Sequence, residues 1–383
     1  MRHIARVAGG LLVLAIAGCS STPRFEPAEL KQIRDVEVQV LRQWSQSIGA
    51  VGTLRALRPI AVAGRVFVAD AQGRVHSLSA DGERNWSVET GRRLGAGPVL
   101  VDGQLIVGDR DGGLMALAAT DGSELWTQML SSEVQTVPAG DAGLLAVKTE
   151  DGRLHGLEPT TGEPRWVVPL TVPQLTWRGN APLVVADDLL LLATSTGRVK
   201  ALDRADGSLV WEQSIAEPTG RSEVERLTDI DGDLLLAGPV IVAVSTAGTT
   251  KVIRRDGGQL IWERSVGGYT GASIDETCLY VVDKDDAVSC LDPRSGAAVW
   301  TNDNLEYRRL TAAVPYKGNV LVGDFDGYVH VLSAADGRII GRTRIARGGV
   351  NWLGRGADER LLVLTENGRF SSLDVEPLSL ASR

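Results

Sequence analysis

Between residues 189 and 211 the chain runs through Leu189, Leu190, Leu191, Leu192 and Ala193, breaks at Gly197, and resumes as Val199-Lys200-Ala201-Leu202. It then breaks again at Asp206-Gly207 and closes a third short stretch on Trp211. Short apolar or alternating runs bounded by glycine and Asp-Gly predict β-strands joined by tight hairpins, because these residues reach the positive φ that such turns require. The same order recurs at Leu105-Ile106-Val107-Gly108, Leu114-Met115-Ala116-Leu117, Asp121-Gly122 and Leu125-Trp126. The chain is built from copies of one unit.

Aligning the tryptophans gives the period. They stand at Trp44, Trp86, Trp126, Trp166, Trp211, Trp262 and Trp300, with Gly341 in the next equivalent place, at intervals of 42, 40, 40, 45, 51, 38 and 41. Hairpin turns precede the last seven of these positions at Gly73, Gly112, Gly152, Gly197, Gly248, Asp286 and Gly327, with an eighth turn at Gly368. The distance from turn to tryptophan position is 13 once and 14 in the other six cases. Three to four strands in about forty residues is the size of a propeller blade. Each tryptophan is expected between neighbouring blades, with its indole N–H bonded to an acceptor.

Hairpins and tryptophans are out of phase, since the chain opens on an outer strand at Trp44 and ends on a hairpin at Gly368. Val36, Val38 and Val40 alternate with polar residues, so residues 36–48 are expected to complete the last blade beside residues 361–374. Such pairing protects strand edges that would otherwise stay open. The expected fold is therefore all-β: a single eight-bladed β-propeller over residues 36–383, closed by pairing an N-terminal strand with the last blade.

The first residues break the pattern. Arg2 and Arg6 precede an uncharged apolar run from Val7 to Gly18, too short to span a bilayer as a helix, which reads as a cleaved export signal over residues 1–18. Leu14-Ala15-Ile16-Ala17-Gly18-Cys19 resembles a bacterial lipobox, which makes Cys19 the expected lipidated N-terminus and residues 19–35 a tether. Ser20 after the cysteine goes with sorting to the outer membrane in that class.

The full chain carries a net charge of −8, and loss of Arg2 and Arg6 takes it to −10. That acidity, without a basic patch, excludes nucleic acid as the expected partner. Cys278 and Cys290 fall on neighbouring predicted strands. An exported protein can form a disulfide there, but a turn near Asp285 places the two diagonally, and two separate buried thiols are the expectation.

Candidate chemistry is sparse. His76, His155 and His330 each lie three residues after a blade turn, so a ring of blades spreads them apart, and they are expected as polar strand positions rather than metal ligands. Asp70, Asp109, Asp283 and Asp324 recur just before turns and read as turn formers, not as an acid–base pair. No phosphate loop, nucleophile elbow or zinc spacing is present, so no catalytic residue, metal or cofactor is assigned. The Ala-Leu-Asp, Asp-Gly and Trp pattern also resembles the repeat of quinoprotein dehydrogenases, which makes a pyrroloquinoline-quinone enzyme the alternative reading. The adjacent Cys-Cys pair often found near their cofactor is absent.

Function is expected where the period breaks. The intervals of 45 and 51 add residues after Trp166 and Trp211, on successive connections between blades: 173–180, with Leu175, Trp177 and Arg178, and 218–232, with Asp229 and Asp231. Insertions in repeat arrays map to loops on one face and commonly bind partners. An out-of-register Trp beside Arg and Leu has interface composition. Lipobox, tryptophan repeats and these two loops together resemble the BamB family, lipoprotein subunits of the outer-membrane β-barrel assembly machinery. The resemblance implies no catalysis, an outer-membrane lipid anchor facing the periplasm, and contact with a POTRA domain of the barrel-forming, BamA-like subunit through Leu175, Trp177, Arg178, Asp229 and Asp231. Trp177 replaces the leucine more usual there. Unfolded outer-membrane protein clients are a further expected partner, received along blade edges.

Overall fold

The computed structural model describes residues 25–173, 175, 181–219, 222, 226–356 and 359–378. Its strands form eight four-stranded antiparallel sheets. Seven are consecutive in sequence: blade 1 (residues 60–89), blade 2 (94–129), blade 3 (139–169), blade 4 (184–214), blade 5 (235–264), blade 6 (273–302) and blade 7 (314–344). Blade 8 takes its three inner strands from residues 350–377 and its outermost from Val38–Ser47. That first strand pairs antiparallel with Arg369–Pro377, from Val38 opposite Pro377 to Ser47 opposite Arg369. The phase mismatch in the sequence is thus the ring closure.

Burial follows the strand's place in its blade. Second strands are almost wholly buried, as in Leu190 to Ala193, because both of their faces meet neighbouring blades. Outermost strands alternate, and only the tryptophan side turns inward. The core is accordingly a set of apolar layers between blades. Leu321, Val329 and Val331 of blade 7, for instance, pack with Leu361, Val363 and Val375 of blade 8.

The tryptophans fasten these layers at the rim. Trp44, Trp86, Trp166, Trp211, Trp262 and Trp300 each donate their indole N–H to a backbone carbonyl of the next blade, at Ala80, Ala119, Arg204, Arg255, Pro293 and Ala334, over 2.9 to 3.3 Å. Trp126 differs. It donates to Gln104 Oε1 of its own blade at 2.8 Å, and Gln104 Nε2 passes the link to Pro159 O of blade 3 at 3.2 Å. The turn glycine beneath each ring is required by space: a Cβ on Gly82 would fall 2.5 Å from the Trp44 ring. At Gly341, where the tryptophan is missing, a Cβ would meet Val38 Cγ2 at 2.8 Å. The neighbour that excludes an indole there is the closing strand itself.

Two expectations change. Cys278 and Cys290 form a disulfide with Cα atoms 5.4 Å apart, where two separate thiols were expected. Tyr280 pairs with Cys290, so the cysteines are diagonal as the turn predicted. Both project to one side of the twisted hairpin, and that separation lies within bridging range. The chain also meets the ring well before Val38, within the stretch expected as a tether. Ala28 N–H donates to Glu306 O at 2.9 Å, Arg308 Nη1 donates to Ala28 O at 3.0 Å, and Phe25 stands edge-on to Tyr307 at 5.6 Å.

Candidate partner-binding surface

In an antiparallel blade the turn between the second and third strands lies on the same face as the connection to the next blade. One face of the ring therefore gathers the turns at Gly73, Gly112 and their equivalents together with every inter-blade loop, including 170–183 and 215–234. Asp70, Asp109, Asp283 and Asp324 serve these turns. Each accepts two backbone N–H bonds through Oδ1, for example from Asp111 and Gly113 to Asp109 at 2.8 and 2.6 Å. The Oδ1 atoms of these carboxylates are committed to backbone.

The histidines bond to different groups on different blades: His76 Nε2 to Ile48 O at 3.0 Å, His155 Nε2 to the Ser131 and Thr149 hydroxyls at 3.3 Å, and His330 Nε2 to Asp324 Oδ2 at 2.9 Å. Burial holds all three below the usual histidine range. Around His330, Arg308 also reaches Asp324 at 2.7 Å and Asp326 at 3.0 Å. Burial alone pushes the Asp324 carboxyl up, but the bonds from His330 and Arg308 outweigh it and hold the group below its ordinary value. This cluster binds the segment around Ala28. Among the described residues no group of three metal-ligating side chains is placed to hold an ion.

Described residues of the two long loops pack together. Ala181, from the end of the first, shares one core cluster with Ile215, Ile230 and Leu234 of the second, so both rest on the base formed by blades 4 and 5. Leu175 of the first loop is 46% exposed. Trp177 and Arg178 lie outside the described residues, as does Cys19. In the second loop the backbone is pinned: Thr246 N–H donates to Asp229 O at 2.9 Å, and the Ser245 hydroxyl donates to Thr228 O at 3.0 Å.

Asp229 has no exposed surface, so it meets a partner only through what it holds in place. Asp231 is half-buried. Burial, and then the charge of Asp229, push its carboxyl up to about 7, against the opposing pull of Arg55 and Lys148. Lys148, on the second strand of blade 3, is held down by burial. Arg55 comes from the loop between Val38–Ser47 and blade 1; it touches water, yet burial also lowers its pKa. Of the charged groups that act on it, Asp231, Arg309 and Asp286 belong to other blades and their connections.

Arg55 and Lys148 were invisible to the repeat pattern. One faint signal existed: Trp44 to Gly73 spans 29 residues, whereas the intervals after Trp86, Trp126, Trp262, Trp300 and Gly341 span 24 to 27.

Comparison with known proteins places these features. The family model described as outer membrane protein assembly factor BamB matches residues 71–302 and 284–380. Outer membrane protein assembly factor BamB of Pseudomonas aeruginosa is 38% identical over 354 residues, covering 91% of this chain and 92% of its own. The crystal structure of BamB from Moraxella catarrhalis superposes with a TM-score of 0.81 at 24% identity, covering 88% of this chain and 99% of that one. Quinohemoprotein alcohol dehydrogenase from Comamonas testosteroni superposes with a TM-score of 0.67 at 14% identity, covering 87% of this chain and 76% of that one, which is a likeness of fold alone.

Proposed function

The chain belongs to the family of outer membrane protein assembly factor BamB, and from that premise we propose that it is a non-catalytic, periplasm-facing scaffold of the outer-membrane β-barrel assembly machinery. Lipid on Cys19 anchors it to the outer membrane. A POTRA domain of the barrel-forming subunit docks on the loop pair 173–180 and 218–232. The observation that carries this reading is the core cluster shared by Ala181, at the end of the first loop, with Ile215, Ile230 and Leu234 of the second. Leu175 supplies exposed apolar surface there. Arg178 supplies a guanidinium for a carboxylate or carbonyl of the partner, and the carboxylates of Asp229 and Asp231 hold the cationic side of the site in place.

The test is capture of the barrel-forming subunit from detergent-solubilised membranes by the intact lipoprotein. Arg178→Glu is expected to lower recovery at least about tenfold, the scale of a lost interface hot spot. Recovery equal to that of the parent protein would remove these loops from the interface.

A further inference from the structure

The loop between Val38–Ser47 and blade 1 does more than connect strands. Val51 and Gly52 donate to Glu366 O of blade 8 at 3.0 and 2.9 Å, and Leu57 and Arg58 run beside Gly97 of blade 2, with Arg58 N–H donating to Gly97 O at 3.3 Å. From that footing two guanidinium groups reach the connections that enter blades 5 and 6. Arg58 Nη1 meets Asp233 Oδ2 at 2.6 Å, and Arg55 Nη1 donates to Tyr269 O at 3.2 Å. In a ring of eight blades, blade 5 lies opposite blade 1, and Asp233 sits on the connection entering blade 5.

The acceptor side is unusual in charge. Asp229, Asp231 and Asp233 stand at alternate positions, with Asp229 fully buried, and repulsion between Asp229 and Asp231 works against holding both charged in one place. Cations that oppose it come from elsewhere in the ring: Arg55 and Arg58 from the loop before blade 1, and Lys148 from blade 3. The Arg58–Asp233 pair leaves 22% and 54% of its side chains exposed, so it contributes little to global stability. Its span across the ring points instead to orientation.

We propose that Arg55 and Arg58 form a cross-channel brace that sets the position of the 228–233 segment and thereby the affinity of the loop pair for its partner. This rests on the partner-binding reading above. Arg55 and Arg58 are positioning residues here; neither needs to touch the partner. The brace also places the mouth of the channel and the partner site under one set of charges, so the loop before blade 1 becomes a determinant of binding.

The experiment titrates the intact protein against the purified periplasmic POTRA domains of the barrel-forming subunit, comparing the parent with Arg58→Glu, Asp233→Arg, the double reversal, Arg55→Met and Arg178→Glu. Arg58→Glu is expected to weaken binding about fivefold with little change in melting temperature, and the double reversal to restore most of it, as coupled charge pairs do. Amide exchange at Ile230 and Leu235 should accelerate in Arg58→Glu and return in the double reversal, a readout that does not need the partner. Arg55→Met is expected to weaken binding in the same direction. Unchanged binding in Arg58→Glu and Arg55→Met alongside loss in Arg178→Glu overturns the brace and leaves the interface standing. Unchanged binding in Arg178→Glu overturns the interface and, with it, the role of the brace in affinity. Should Arg58→Glu fail to fold, Arg58→Gln is read in its place, with the same outcomes.

Discussion

The rim of the ring and the mouth of its channel are held by opposite means. At the rim one device recurs: an indole lies over a turn glycine of the next blade and bonds to its backbone, directly at six positions and through Gln104 at a seventh. Apolar area is removed from water and the single polar atom is satisfied, so every contact favours folding. At the mouth no two blades contribute alike. Arg55, Lys148, Asp229 and Asp231 are gathered where burial penalises charge, and the carboxyl of Asp231 is displaced far from its ordinary value. Repetition belongs to stability, and the costly, irregular part is where a binding role is placed.

Breaking the rim tests the first half most severely. Trp300→Ala removes a nearly buried ring together with its bond to Ala334, and is expected to destabilise the protein by about 4 kcal/mol, read by denaturant unfolding. A loss below 1 kcal/mol would mean that the indoles decorate the rim without fastening it. Next in size is the covalent staple of blade 6. Cys278→Ser opens a link between residues 12 apart in sequence, and should cost about 3 kcal/mol under oxidising conditions and nothing extra once the parent is reduced.

The mouth gives an effect of opposite sign. The folded protein binds a proton at Asp231 up to about pH 7, whereas an unfolded chain has released it near 3.8, the ordinary value of an aspartate. Stability from this group is therefore complete at low pH and is lost as pH rises across that window. Asp231→Asn cannot ionise, so its melting temperature should gain on that of the parent between pH 4 and pH 7 and level off above. A constant difference across that range would show that Asp231 is not pressed by its surroundings.

The same division explains what could be read from the residues alone. Blade number and ring closure were legible because both are properties of a count: eight turns, and an outer strand at the wrong end of the chain. The adjacency of the two loops followed from their being successive. What lay beyond reach depends on who faces whom across the ring. Val38 beside Gly341, Arg58 beside Asp233, and the relay through Gln104 join residues whose spacing carries no periodic signal. The cysteine pair fell between, since its diagonal register was readable but the twist that closes the gap was not. The burial of Asp229 was also hidden, because a loop aspartate looks exposed until its neighbours are known.

Ring closure by Val38–Ser47 also sets an order in time. Val38–Ser47 is synthesised well before its partner strand, Arg369–Pro377. The segment around Ala28 likewise waits for Glu306 and Arg308. Until then an edge of blade 8 remains open, and contacts of such long separation form slowly. A protein proposed to help others fold is thus itself a late-closing chain, with its own interval of exposed strand edge.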